Sequence, residues 1–299
     1  MSNITKEKIS AMATAFDMAF KDAFKAETDK IISSKFAMPV GDADHMSVEI
    51  PFFEAFSFMR KWVGPRQVKN LSSKKLVLKE DAFEDTFGVT VREIETDSWG
   101  FYSSAVKQLA ENAVRLWDRL ATEALTDAGN WIDGKAFFAT DRKYGKNTIN
   151  NKTTSALSAS TFNTAYETMA SYVDHAGNPL GVVPDTLMVG PKNRTTAFEI
   201  LNSKLVASGN ATIENANYGI AEVLVNPYLV GAADDYWFLM STKSTIKPVA
   251  LQKSKEGELA AQNQPTDDCV FSEGKALYGT SAYGSAAAAF PHLVYGGIL

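Results

Sequence analysis

Apolar residues recur at helical spacing near the start of the chain. They are Ile9, Met12, Phe16, Phe20 and Phe24, with Ala13, Ala19 and Ala23 beside them. A single narrow stripe of this kind predicts an amphipathic helix. Pro39, Gly41 and Pro51 then interrupt the pattern, so this helix stands apart from the neighbouring segment. The period changes to two at Leu76 and Leu78, and again at Phe87, Val89 and Val91, as half-buried strands require. Helical spacing returns with Tyr102, Val106, Leu109, Ala113, Leu116, Trp117, Leu120 and Leu125. Thr96 or Asp97 is placed to cap this helix, and Gly129 to stop it, after about eight turns. Lys107, Glu111, Arg115, Asp118 and Arg119 fall mostly off its stripe.

The second half alternates shorter elements. Lys143 to Ser160 is rich in Asn, Thr and Ser and reads as a long loop. Ser160 or Thr161 then caps a helix through Phe162, Tyr166, Met169 and Tyr172, and Asp174 to Pro179 is a turn. Leu187-Met188-Val189, Val223-Leu224-Val225, Tyr236 to Met240 and Ile246 to Leu251 predict strands, and Thr195 to Leu205 predicts a helix. The Gly-, Ala- and Tyr-rich tail from Val270 to Leu299 predicts strands and close-packed turns. This order gives an α+β fold with two lobes. One holds the long helix and the last strands; the other centres on residues 185 to 265.

With 299 residues, 45% of them hydrophobic, the chain suffices for one large core or two small ones. A net charge of −5 argues against a dedicated nucleic-acid binder. The charge is unevenly spread, however. Arg60, Lys61, Arg66, Lys69, Lys74, Lys75 and Lys79 are seven bases without an acid. Glu80, Asp81, Glu84, Asp85, Glu93, Glu95 and Asp97 then stand against Arg92 alone. With a turn at Asn70-Leu71-Ser72-Ser73, this is a charge-segregated hairpin, paired within itself or laid on a neighbour.

Reaction chemistry is sparsely represented. His45, His175 and His292 have no metal-binding spacing, and the single cysteine, Cys269, reads as a small buried apolar residue. Asp234-Asp235 and Asp267-Asp268 lack the spacing of a calcium loop and read as solvated turns. Gly279 to Gly284 is too loosely spaced for a phosphate loop and reads as a turn. No apolar run approaches the ~20 residues of a membrane span, and the charged N-terminal stretch is unlike a signal peptide.

Several short features occur in an order that resembles one known family. They are Trp62-Val63-Gly64-Pro65-Arg66, Lys75-Leu76-Val77-Leu78 and Phe83-Glu84-Asp85-Thr86, then Trp131-Ile132-Asp133-Gly134-Lys135-Ala136-Phe137-Phe138, Trp237-Phe238-Leu239-Met240 and Lys247-Pro248-Val249. The sequence resembles the major head subunit of Mu-like bacteriophages and prophages, the gpT-like family, whose members have the Hong Kong 97-type capsid fold. The resemblance implies an N-terminal arm and lead-in over 1–58 and an extended β-hairpin loop over 59–95. It implies further a peripheral domain with a spine helix over 96–184, an axial domain over 185–265, and C-terminal strands returning to the core over 266–299.

In function, the resemblance implies a structural, non-enzymatic major capsid protein without cofactor. Copies would self-assemble as hexamers and pentamers into an icosahedral phage head, the virion shell, built in the bacterial cytoplasm around packaged double-stranded DNA held by non-specific contact. The implied partners are a separate scaffold protein, a head protease and a portal, with no membrane. Arg66, Lys69, Lys74, Lys75 and Lys79 of the loop and Phe16, Phe20 and Phe24 of the arm would then lie between subunits. For the arm, packing on its own domain is the alternative. Leu109, Leu116, Trp117 and Leu120 would form the structural face of the spine helix. Two other readings stay open: a nanocompartment shell of the same fold, and a soluble enzyme of unknown class.

Overall fold

The longest alternating runs pair into a four-stranded sheet that the long helix crosses. The computed structural model describes residues 3–41, 46–51, 74–90, 92–93, 99–144, 147–174, 177–208, 211–264 and 266–299. In this sheet β1 (Ala37–Pro39) runs parallel to β13 (Val249–Gln262), which pairs antiparallel with β14 (Lys275–Ala288). The last member, β4 (Asp81–Thr90), pairs antiparallel with β14 and forms one edge. The tail segment Gly279 to Gly284, expected to turn, lies inside β14. Its glycines serve close approach. A Cβ on Gly284 would sit 2.8 Å from the Trp117 ring, so only glycine lets the helix settle this deeply on the sheet.

Trp117 belongs to α3 (Trp99–Thr126), whose apolar stripe faces the sheet. Val106, Leu109, Ala113, Leu116, Trp117 and Leu125 are buried, and Tyr102 and Leu120 are half-buried. Asp118, placed off the stripe by spacing, is also buried. Its carboxylate accepts hydrogen bonds from the backbone N–H groups of Ser33 (2.7 Å) and Ile32 (3.2 Å). It thereby satisfies the free donors at the start of the short helix α2 (Ser33–Phe36).

A second, five-stranded sheet has the order β11 (Glu222–Val225), β8 (Thr186–Val189), β12 (Trp237–Met240), β15 (Val294–Gly297) and β7 (Lys152–Thr153). Its two central neighbours, β8 and β12, are buried on both faces and read as unbroken apolar runs. Gly297 pairs with Trp237 across β15 and β12, where a Cβ would collide with the indole. Helix α4 (Ala159–Ala170) packs on β12 and β15, and α5 (Arg194–Leu201) on β11 and β8. One continuous apolar core joins both sheets; a smaller cluster lies under the N-terminal helix.

Several expectations change. Ser158, not Ser160 or Thr161, caps α4, through a reciprocal pair of bonds with Thr161. The expected loop at 143–160 contains a short hairpin, β5 (Arg142–Tyr144) with β6 (Asn147–Ile149), and β7. Helix α5 stops at Leu201, and Leu205 opens a strand instead. The two lobes also divide differently. Strand β13 belongs to the sheet under α3, whereas β7, α4 and the final strand β15 belong with the other sheet. Sequence adjacency misplaced these pieces because β12 and β15, though far apart along the chain, are the hydrogen-bonded pair.

Candidate functional site

The chemistry expected of this chain is contact between copies, so its candidate site is a set of surfaces. The first is a two-stranded ribbon, β2 (Ser47–Pro51) with β3 (Lys75–Lys79). Alternation turns Leu78 inward, where it is 3% exposed, and leaves Lys75 and Lys79 outside. Lys74, just before β3, is also exposed. Lys75 forms an ion pair with Glu49 across the ribbon. The expected pairing of the basic segment with the acidic one is corrected: β3 pairs with β2, while the acidic strand β4 pairs with β14. Arg66, Lys69, His45, the Trp62 motif and the Asn70 turn lie outside the described residues.

The foot of this ribbon is seated firmly. Ile50, Pro51 and Leu76 close over Trp131, Ile132, Ala289 and Phe290, leaving a crevice of only about 10 Å³. Trp131 donates its indole N–H to the Ala289 carbonyl at 2.8 Å. The buried Arg142 guanidinium lies 4.8 Å from the Trp131 ring centroid, pairs with Asp133, and donates to the carbonyls of Ala136 and Phe137. The Trp131 to Phe138 motif is therefore a structural clasp. Beside the seat is His292, buried with its ring 6.0 Å from that of Phe290. Burial pushes its pKa down from 6.5 to about 4.

The N-terminal helix α1 (Asn3–Thr28) corrects the expectation for the arm. Phe16 (1% exposed) and Phe20 are buried against Val89, Val106, Leu109, Ala276 and Tyr278 of the same subunit. Phe16 meets Tyr278 edge-on at 5.0 Å, and half-buried Phe24 stacks on Phe20 at 5.9 Å. A helix with this stripe has a ready surface in α3 and the sheet, so Phe16 and Phe20 are packed within their own subunit and Phe24 lies half-buried at the edge of that cluster. The helix end is locked by charge. Glu27 takes Lys30 at 2.8 Å and Arg115 of α3 at 2.7 Å, and Arg115 also holds Glu111. The Lys30 ammonium first, and Arg115 with it, hold the Glu27 carboxyl below its usual range against the opposing effect of burial.

Beside α3, the open edge of β4 lines a groove of about 630 Å³ with Glu84, Asp85, Asn112, Arg115, Arg119 and Tyr228. The remaining candidates for chemistry are dispersed. Lys192 clamps Asp234 and Asp235, and half-exposed Cys269 sits on the short helix α6 (Asp268–Glu273), not in the core as expected. His175 lies outside the described residues. Among the described residues no cluster of His, Cys, Asp or Glu could hold a metal, and no helix is long and apolar enough to cross a membrane.

One surface had no counterpart in the sequence reading. It is the ribbon of β9 (Leu205–Ser208) with β10 (Ala211–Glu214), where Leu205, Ile213 and the nearby Tyr218 and Ile220 are exposed. Gly209-Asn210 between two apolar runs was its available signal.

Comparison with known proteins gives this arrangement a family. The sequence profile described as Mu-like prophage major head subunit gpT matches residues 9–161, 149–229 and 230–297. The chain belongs to that family. The major capsid protein of Escherichia phage Mu is 23% identical over 137 residues, which cover 45% of this chain and 44% of that protein. The match thus spans less than half of the curated relative's length.

Solved structures agree in fold. A subunit of the bacteriophage JBD30 procapsid superposes with a TM-score of 0.59 at 20% identity, covering 97% of this chain and 75% of that one. The bacteriophage PhiM1 mature capsid gives 0.58 at 12% identity, over 89% and 86%. A virus-like particle from Pyrococcus furiosus gives 0.53 at 12% identity, over 93% and 98%. The chain has the Hong Kong 97-type capsid fold.

Proposed function

We propose that this chain is the major capsid protein of a Mu-like phage or prophage, a building unit that associates with copies of itself into an icosahedral head. The observation that carries the reading is the family match along residues 9–297. The chain is read as structural and without enzymatic activity. Its shell would form in the bacterial cytoplasm as hexamers and pentamers and enclose double-stranded DNA through non-specific contacts. A separate scaffold protein, a head protease and a portal complete the proposed partners. In this reading α3 is the spine helix, the sheet beneath it the peripheral domain, and the five-stranded sheet the axial domain. Residues 59–95 are proposed as the extended loop, of which β3 and β4 belong to the described residues, with Arg66, Lys69, Lys74, Lys75 and Lys79 available to a neighbouring subunit.

A nanocompartment shell is the second reading, favoured by the likeness to the Pyrococcus furiosus particle over 98% of that chain. The test is expression of the chain with and without a candidate scaffold, followed by light scattering, electron microscopy and analysis of the particle contents. Closed shells support the capsid reading, and packaged DNA separates a head from a protein-filled compartment. A strict monomer at high concentration under both conditions overturns it.

A further inference from the structure

The β9–β10 ribbon carries apolar side chains that its own subunit leaves open: Leu205 is 58% exposed and Ile213 49%. A two-stranded ribbon is marginal in water without packing, and clustered exposed apolar groups mark contact surfaces. The ribbon is nonetheless held in place at its base. Asn215 donates to the carbonyls of Ile200 and Ser203, and Gly219 N–H to that of Leu201, tying it to α5 on the β11 side of the five-stranded sheet. The opposite edge of the same sheet is β7, four strand spacings or about 19 Å away. Beside β7 lies an open groove of about 520 Å³ between Phe138–Asp141 and Lys152–Thr154.

The two edges are complementary. The register pairs Leu205 with Glu214, so an apolar side chain and a carboxylate share one face of the ribbon. The groove offers the methyl groups of Ala139, Thr140, Thr153 and Thr154, with the half-exposed Lys152 among them. Asp141, its one acid, is engaged by Lys135 at 2.6 Å. Among the described residues neither Glu214 nor Lys152 has an ion-pair partner. A protruding element at one edge and a recess at the other form a head-to-tail contact, the kind that closes rings.

We infer that the Leu205–Glu214 face of one copy seats in the β7-edge groove of a second copy, with Glu214 opposite Lys152. This rests on the shell reading above and assigns the contact around each ring of subunits. The test uses the full chain in three forms, Glu214→Lys, Lys152→Glu and the double exchange, beside wild type at low salt. All should melt as wild type does. Each single variant should lower the yield of rings or shells at least about tenfold, because like charges then face each other. The double exchange should restore yield to within about twofold of wild type. Wild-type yield in either single variant, or a double exchange no better than the singles, overturns this contact while leaving the shell reading standing. A wild-type chain that never associates overturns both.

Discussion

Two ribbons of similar length leave this subunit, and they differ in how they are held. The β2–β3 ribbon buries Leu78 and rests Ile50 and Leu76 on Trp131 and Phe290. Its direction is therefore set by the core. The β9–β10 ribbon is tethered at its base by backbone-directed amides but keeps Leu205 and Ile213 in solvent. An element stabilised by its own subunit can present charge to a neighbour in a fixed position. An element stabilised by few contacts of its own depends on the neighbour for its cover, and opens locally at low cost until that cover arrives.

The contrast can be broken most severely at the foundation of the first ribbon. Trp117 fills the space over Gly284 in β14, the strand on which β3 leans. Trp117→Ala should cost about 3–5 kcal/mol, read as a lowered denaturant midpoint. Leu78→Ala, which removes the ribbon's own anchor, should cost about 2–5 kcal/mol in the same measurement.

Acid offers a third, reversible break at the ribbon's seat. The folded His292 has its pKa depressed to about 4. Its contribution is complete above the unfolded value near 6.5 and is lost as pH falls through 4. The full loss approaches about 3 kcal/mol. Stability of the wild type should therefore drop between pH 6.5 and 4, and His292→Gln should flatten that part of the profile. The smallest effect belongs to the second ribbon. Leu205→Ala should change subunit stability by less than about 0.5 kcal/mol, and a larger loss would show that the ribbon packs within its own subunit.

Much of the scaffold was legible because it follows simple periods. The stripe of α3 and the alternation of β3 and β4 are local signals; Leu78, Val89, Val106, Leu109, Leu116, Trp117 and Leu125 are buried as these signals place them, whereas Val91 and the expected caps Thr96 and Asp97 lie outside the described residues. What failed was pairing over distance. No local pattern says that β3 joins β2 across residues 52–74, or that β15 inserts between β12 and β7. The arm was misjudged for a related reason. The stripe through Phe16 and Phe20 announces that a partner surface exists, but the partner is α3 and the sheet, and spacing cannot say to which molecule a surface belongs. Asp118 shows the same limit for polar groups. Its position off the stripe suggested solvent, whereas the unpaired amides of Ser33 and Ile32 draw it inside.

The position of β15 has a consequence for synthesis. Strands β8, β11 and β12 have all been translated once residue 240 is made, yet β7 can join their sheet only through β15, residues 294–297. Chains emerge at roughly 5–20 residues per second, so the five-stranded sheet waits several seconds for its connecting strand. During that interval the β7 edge is unformed, and a nascent chain cannot offer it to finished copies nearby. If the β7 edge is the proposed contact between copies, the order of strands withholds it until residues 294–297 have been translated.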